Sequence, residues 1–203
     1  TAPDVFGILP TAFFGDRQSF KAYVNLFFKM FRIKAFGAKL PVYASVDITN
    51  ACNLRCGHCY WWKNWEKRQE LSAQEWRDVI RNKLVRAKLY QIALTGGEPL
   101  LRPDVIRVFR EEMRNKIYVV TNGTLPLIHF TNLVYIVSID GTEKIHNYIR
   151  GPKVYKKIKQ NVKTFGENIL LNMTVNTINF KCIEDVIKEW YKIANRINFQ
   201  FHT

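Results

Sequence analysis

Cysteine is scarce in this sequence, and so are acids. Four cysteines occur in 203 residues, and 17 Asp and Glu stand against 31 Lys and Arg. So few thiols, three of them crowded into one stretch, exclude a disulfide-stapled secreted scaffold. They fit a reducing compartment, so the expected location is cytoplasmic. No apolar run approaches the roughly 20 residues that cross a bilayer. No basic-then-apolar leader with a small-residue cleavage site opens the sequence, so a secretory signal is not expected. Low-complexity tracts are absent, as is any repeat beyond a strand–helix alternation. With 47% hydrophobic residues, global disorder is excluded and a sizeable core can form. The formal net charge of +14 favours anionic partners: nucleic acid, an acidic membrane face or a phosphorylated small molecule. No recognisable RNA-binding module accompanies that charge, so nucleic acid is not the expected partner.

What is present concentrates in Cys52-Asn53-Leu54-Arg55-Cys56-Gly57-His58-Cys59. Thiolates on one short loop can converge on a soft metal centre. A closed zinc site takes four ligands, so the three cysteines here would need a fourth such as His58. Iron–sulfur clusters are held by thiolates, and a cubane has four irons. Three cysteines would hold three irons and leave one open. Cys182, remote from this loop and at a predicted helix start, reads as an inert core thiol.

The chain divides into an N-terminal arm and helix, 1–40, and a core, 41–203. Residues 1–16, punctuated by Pro and Gly, read as an irregular arm. Phe20, Tyr23, Val24, Phe27 and Phe31 follow a helical period over 19–34, with Ser19 as a candidate cap. Lysines and arginines punctuate that helix, and no acid occurs from Arg17 to Val46. A basic amphipathic helix can lie on an anionic membrane surface, so peripheral membrane contact is expected; packing on the domain is the alternative. From Pro41 onward, strands are predicted at 42–48, 92–95, 117–121, 133–139, 169–176 and 197–201. Helices are predicted from the capping box at 72–75 to about 89, and over 103–114, 142–149, 154–165 and 182–194. Apolar strands joined by helices imply parallel pairing, with the loops after the strands emerging on one face. The final strand has no helix after it, so a longer parent chain is expected.

These residues resemble the signature of the radical S-adenosylmethionine (radical SAM) superfamily. Cys52, Cys56 and Cys59, with His58 before the third cysteine, resemble its cluster motif. Gly96-Gly97-Glu98-Pro99 matches its glycine-rich motif. Thr121-Asn122-Gly123 and Ser138-Ile139-Asp140-Gly141 match its third and fourth strand ends. Ile149-Arg150-Gly151 resembles an element of its lipid-, peptide- and molybdopterin-modifying branches. The resemblance implies an α/β fold, a partial (β/α)6 TIM-like barrel of the radical SAM type, here with an N-terminal amphipathic helix. It implies a [4Fe–4S] cluster on Cys52, Cys56 and Cys59, with S-adenosyl-L-methionine (SAM) chelating the open iron. Gly96 and Gly97 would let the backbone approach SAM, with Pro99 closing the motif. A strand-end carbonyl or Glu98 would accept from the SAM ammonium, and Arg150 would pair with its carboxylate. Ser138 and Asp140 would hold the ribose or the amino-acid moiety, and Asn122 would fix the neighbouring loop. His58 and Tyr60 would face adenine, with Val175 and Phe201 on its other side.

Read without the resemblance, Gly96-Gly97 and Asp140-Gly141 are plain turns, Glu98 a solvated carboxylate and Arg150 one surface base among many. Trp61, Trp62 and Trp65 either line the mouth and shield a radical or simply pack. Among the histidines without a partner pattern, His202 would face the mouth.

The resemblance implies an enzyme, an oxidoreductase or transferase, that reductively cleaves SAM to a 5′-deoxyadenosyl radical which abstracts hydrogen from its substrate. An external electron donor such as ferredoxin or flavodoxin is expected. The basic aromatic helix points to a lipid or isoprenoid substrate. The alternatives are a peptide-modifying maturase and a non-enzymatic iron–sulfur electron carrier.

Overall fold

The computed structural model describes residues 17–63, 69–114, 116–130, 132–166 and 169–201. The arm at 1–16, Trp65 and His202 lie outside the described residues. Near-continuous apolar runs form β1 (Tyr43–Thr49), β2 (Gln91–Gly96), β3 (Ile117–Thr121), β4 (Leu133–Ser138), β5 (Ile169–Val175) and β6 (Arg196–Phe201). They pair in sequence order, β1 to β6, and every pair is parallel. Six parallel strands, with helices among the described residues in every connection but β3 to β4, make the α/β half-barrel that the motifs implied.

Burial along the strands separates the two faces of the sheet. In β3 and β5, buried residues alternate with half-buried ones. The buried set, including Ile117, Val119, Leu171 and Met173, lies in the core shared with the helices. The half-buried set lines the other, open side. Helices α3 (Ala73–Val79), α4 (Pro103–Glu112), α6 (Val154–Phe165) and α7 (Ile183–Trp190) supply Trp76, Phe109, Tyr155 and Trp190 to that core. Trp190 is fully buried, and its indole N–H donates to the Tyr155 hydroxyl at 2.8 Å.

The predicted capping box is formed. The Glu75 N–H donates to Ser72 Oγ, and the Ser72 N–H donates to Glu75 Oε2. The helix it opens leaves α geometry at Val79 and widens into a π turn over Ile80–Leu84. Two short elements were below the reach of periodicity: α2 (Tyr60–Lys63) and the 3-10 turn Pro99–Leu101. The helix predicted at 182–194 instead begins as a 3-10 turn, Phe180–Cys182, and is α-helical only over α7. Cys182 is buried there, with its Sγ against the Asn179 carbonyl at 3.1 Å. The short helix α5 (Glu143–Arg150) precedes α6.

The N-terminal helix α1 runs Arg17–Phe36, so Ser19 lies within it and is not its cap. Its contacts fall at the N-terminal ends of the strands. Lys29 Nζ donates to the carbonyls of Pro41, Ala87 and Lys88 at 2.7, 2.7 and 2.8 Å. All ammonium protons are thereby used, and burial lowers the Lys29 pKa, with Lys88 adding to the effect. Tyr23 packs on Tyr90, which in turn meets Tyr43. Thus α1 sits at the end of the barrel opposite the loops that follow the strands. Among the described residues, no helix is long and apolar enough to cross a membrane.

Trp190→Ala removes a fully buried indole and its hydrogen bond to the Tyr155 hydroxyl, which keeps Glu189 as a partner. It is expected to lower unfolding stability by about 3–5 kcal/mol in urea titration.

Candidate active site

The cysteine loop leaves the C-terminal end of β1 and is braced from several sides. Glu70 Oε1 accepts from the Thr49 hydroxyl and the Asn50 N–H. Arg102 holds Glu70 in turn at 3.1 Å. The Trp61 indole donates to the Asn50 carbonyl, the Trp62 indole to the Cys56 carbonyl, and Lys63 to the Gly57 carbonyl. The Arg55 guanidinium folds back on the carbonyls of Cys52 and Leu54. On the far side, the Gly57 N–H donates to the Ile149 carbonyl at 2.9 Å. Trp61 and Trp62 therefore brace the loop through their N–H groups.

The GGEP turn is stitched to the start of this loop. The Gly97 N–H donates to the Thr49 carbonyl and the Glu98 N–H to the Ala51 carbonyl, both at 2.8 Å. The glycines make that approach possible. Gly96 has φ +112, and a Cβ there would strike the Thr49 carbonyl oxygen. A Cβ on Gly97 would strike the Ala51 carbonyl and lie 2.8 Å from the Asn50 oxygen. What the missing side chains admit is the protein's own backbone.

Glu98 turns inward. It is fully buried, and its carboxylate accepts from the Leu100 N–H (3.0 Å), the Thr121 hydroxyl (2.7 Å) and the Asn122 N–H (2.8 Å). Burial pushes its pKa up, and these bonds oppose the rise. A carboxylate with no exposed surface cannot meet a ligand at the mouth. Glu98 thus joins the ends of β2 and β3, a part different from the ligand contact expected of it. Pro99 is buried beside it. Asn122 ties the next strand end back to the cysteine loop. Its Nδ2 donates to Asn53 Oδ1, Asn53 donates to the Thr124 hydroxyl, and that hydroxyl donates to Asn122 Oδ1.

A buried ion pair lies beneath the loop. Arg150 Nε donates to Asp140 Oδ2 at 2.5 Å, and His58 Nε2 stands 3.8 Å from the same oxygen. Asp140 Oδ1 accepts from the Thr174 N–H, and its backbone N–H donates to His146 Nδ1 at 3.0 Å. Burial works against the Asp140 carboxylate, yet Arg150, with His58 and His146, holds its pKa below the ordinary carboxylate range. Burial alone would lower the Arg150 pKa; Asp140 reverses that, and Cys56 and Cys59 add to the rise. Asp140 is fully buried and Arg150 nearly so, which makes this pair a fixed part of the fold.

The thiols lie near enough to influence one another, and Arg150 acts on Cys56 and Cys59. Cys56 is buried, while Cys52 and Cys59 are half-buried. Burial pushes the Cys52 and Cys56 thiols up, each thiol is felt by its neighbours, and Arg150 pulls Cys56 back down. Among the described residues, no three His, Cys, Asp or Glu groups meet at a point able to hold a single metal ion. In a polynuclear cluster each thiolate takes its own iron, so a spread triad beside a buried cation fits a [4Fe–4S] group better than zinc.

The fold thus brings Cys52, Cys56, Cys59, His58, Gly96, Gly97, Glu98, Asn122, Asp140 and Arg150 to one end of the sheet. Ser138 is half-buried at the end of β4, and Tyr60 is exposed at the start of α2. Glu70, Asn53, Thr124 and His146 carry structural roles that sequence reasoning missed. Asn53 and Thr124 adjoin motif residues and were findable by position. Glu70 carried no signal, because its partners Thr49 and Asn50 are distant in sequence.

A half-barrel of parallel strands, with three thiols on the loop after β1 locked to a diglycine after β2, defines a class of cluster-dependent enzymes. The family model of the Radical SAM superfamily matches residues 46–190, and the chain belongs to that superfamily. Membership implies a [4Fe–4S] cluster and SAM as the cofactors. Over 167 residues it is 30% identical to the sporulation killing factor maturation protein SkfB of Bacillus subtilis, a match covering 74% of this chain and 40% of that protein. It is 36% identical over 81 residues to the probable GTP 3′,8-cyclase of Methanopyrus kandleri, covering 39% of this chain and 26% of the cyclase. Its fold is similar to that of Streptococcus suis SuiB bound to precursor peptide SuiA, with TM-score 0.71 at 16% identity, covering 98% of this chain and 48% of that one. The chain spans less than half the length of each of these relatives.

Gly97→Ala would force a methyl group into backbone that cannot swing aside. It is expected to cost about 1–3 kcal/mol of stability and to lower the iron bound per chain after anaerobic reconstitution. His146 gives a pH prediction. Burial, with Arg150 adding to it, lowers its pKa from 6.5 to about 3, so the folded protein keeps this imidazole neutral where the unfolded chain protonates it. Its depressed folded value means that stability is full above the unfolded value and lost as pH falls from 6.5 toward about 3. The slope is up to about 1.4 kcal/mol per pH unit. His146→Asn, whose Oδ1 can accept from the Asp140 N–H, is expected to flatten that acid limb in Tm-against-pH measurements.

Proposed function

We propose that this chain is the radical SAM core of an enzyme that modifies a peptide. The observation that supports the peptide reading best is the 30% identity to a maturation protein across 74% of the chain. The placement of α1 also weighs against the lipid or isoprenoid substrate that its sequence suggested, since the helix lies at the barrel end remote from the cysteine loop. The cluster and SAM, when bound, supply reductive SAM cleavage and a 5′-deoxyadenosyl radical that abstracts hydrogen, with the electron coming from a donor such as ferredoxin or flavodoxin.

The chain's own residues do the rest. Cys52, Cys56 and Cys59 would hold the cluster. Gly96 and Gly97 bring the motif backbone against the cysteine loop. Glu98, Pro99 and Asn122 keep that backbone in register from below. Arg150, oriented by Asp140, offsets the thiolate charge of Cys56 and Cys59. His58, Tyr60 and Ser138 are the proposed contacts to the adenosyl group, since each keeps some surface at the mouth.

The GTP cyclase match, though shorter, favours a nucleotide substrate as the second reading. Anaerobic turnover with SAM and reductant, offered precursor-type peptides or GTP and read by mass spectrometry, separates the two. The expected result is 5′-deoxyadenosine formation coupled to a mass change in a peptide. Conversion of GTP with every peptide unchanged would overturn the peptide reading.

A further inference from the structure

The outer face of α1 is apolar, and nothing else among the described residues covers it. Val24, Phe27, Phe28 and Phe31 recur at helical spacing, and their exposures run from 37% to 66%. Ala35 continues the stripe, and Met30 and Phe36 stand exposed at its margins. The opposite face, with Ala22, Leu26, Lys29 and Ile33, is half-buried against the domain. The usual arrangement is reversed: a surface helix normally turns its apolar stripe to the core. Here the core-facing side is secured by Lys29 and Tyr23, which frees the stripe to face outward. The outward rings rest on one another, Phe27 on Phe28 and Phe31 on Phe36, at centroid distances of 5.7 and 5.9 Å.

Charge identifies what the stripe meets. At 100° per residue, Arg32 and Lys34 fall on opposite flanks of it, and both are exposed, as is Lys39 just beyond the helix. No acid occurs from Arg17 to Val46 to neutralise them, and the whole chain carries +14. A second copy would bring the same cations to the same face and repel. A surface of anionic phospholipid offers what both parts need: acyl chains for the aromatic stripe and phosphates for its flanks.

We propose that α1 is an interfacial anchor that lays its outer face into an anionic membrane surface. Because its inner face closes the N-terminal end of the barrel, the anchored protein turns its cysteine loop and GGEP turn away from the bilayer. The membrane is thus a place of attachment, not the source of the substrate. This holds whether the substrate is a peptide or a nucleotide.

The cluster-reconstituted chain is floated with vesicles of phosphatidylcholine alone, or with about 30% phosphatidylglycerol added. Binding to the anionic vesicles alone is expected, and it weakens in about 1 M salt, where the Debye length falls to about 3 Å. The triple variant Phe27→Ser/Phe28→Ser/Phe31→Ser alters only the outward face. It is expected to keep its circular dichroism and melting profile while its partition falls by roughly tenfold or more. Arg32→Ser/Lys34→Ser is expected to lower partition by about fivefold per charge removed. Failure to float with anionic vesicles, or flotation unchanged in the triple variant, would overturn the proposal. So would a dimer in light scattering that the triple variant dissolves, which would assign the stripe to a second copy.

Discussion

Two backbone hydrogen bonds, from Gly97 to Thr49 and from Glu98 to Ala51, join the turn after β2 to the start of the cysteine loop. They extend the parallel ladder of β1 and β2 past the end of regular strand, into the region where a ligand would sit. Only residues without a Cβ allow the chains to come so close at Gly96 and Gly97. Once that contact is made, the position of Cys52 is tied to the GGEP backbone by the sheet itself. Glu98 and Asn122 carry the same constraint on to β3 and back through Asn53 to the cysteine loop. The site is therefore built as a closed circuit of strand ends.

The Asp140–Arg150 pair completes that circuit from the other side. A buried ion pair adds little net stability, but removing one partner strands a charge, so it fixes geometry well. Here it places a guanidinium beside Cys56 and Cys59 and keeps an imidazole, His58, within reach of the same carboxylate. Asp140 is itself held by the Thr174 N–H, by His146 and, at its carbonyl, by Asn179. The loop after β5 thus supports a cation that acts on the loop after β1.

Much of this was legible in the sequence. Apolar runs marked all six strands, and the cysteine spacing with a glycine-rich turn one strand later marked the site and the superfamily. Roles were harder to read than places. Glu98 and Asp140 looked like ligand contacts, because a carboxylate at a strand end has the same letters whether it faces the mouth or the interior. The fold buries both and gives them to backbone N–H groups and to Arg150. The tryptophans left mouth lining and simple packing both open; the N–H groups of Trp61 and Trp62 brace the cysteine loop. In α1, periodicity found the helix but not which face turned inward. Lys29, saturated by carbonyls of Pro41, Ala87 and Lys88, and Tyr23 on Tyr90 secure that face, and no pattern of hydrophobicity encodes it.

The comparisons and the geometry agree on the chemistry and divide on the substrate. The proposed substrate is a peptide, not the lipid that the basic helix first suggested, and the helix itself lies at the opposite pole of the barrel. What joins these parts is the idea of a cluster held by three thiolates, with SAM completing it against the diglycine turn. Electron paramagnetic resonance of the anaerobically reduced, reconstituted chain tests it most directly, with and without SAM. A [4Fe–4S] signal that changes its g-values when SAM is added is predicted; a spectrum indifferent to SAM would contradict it.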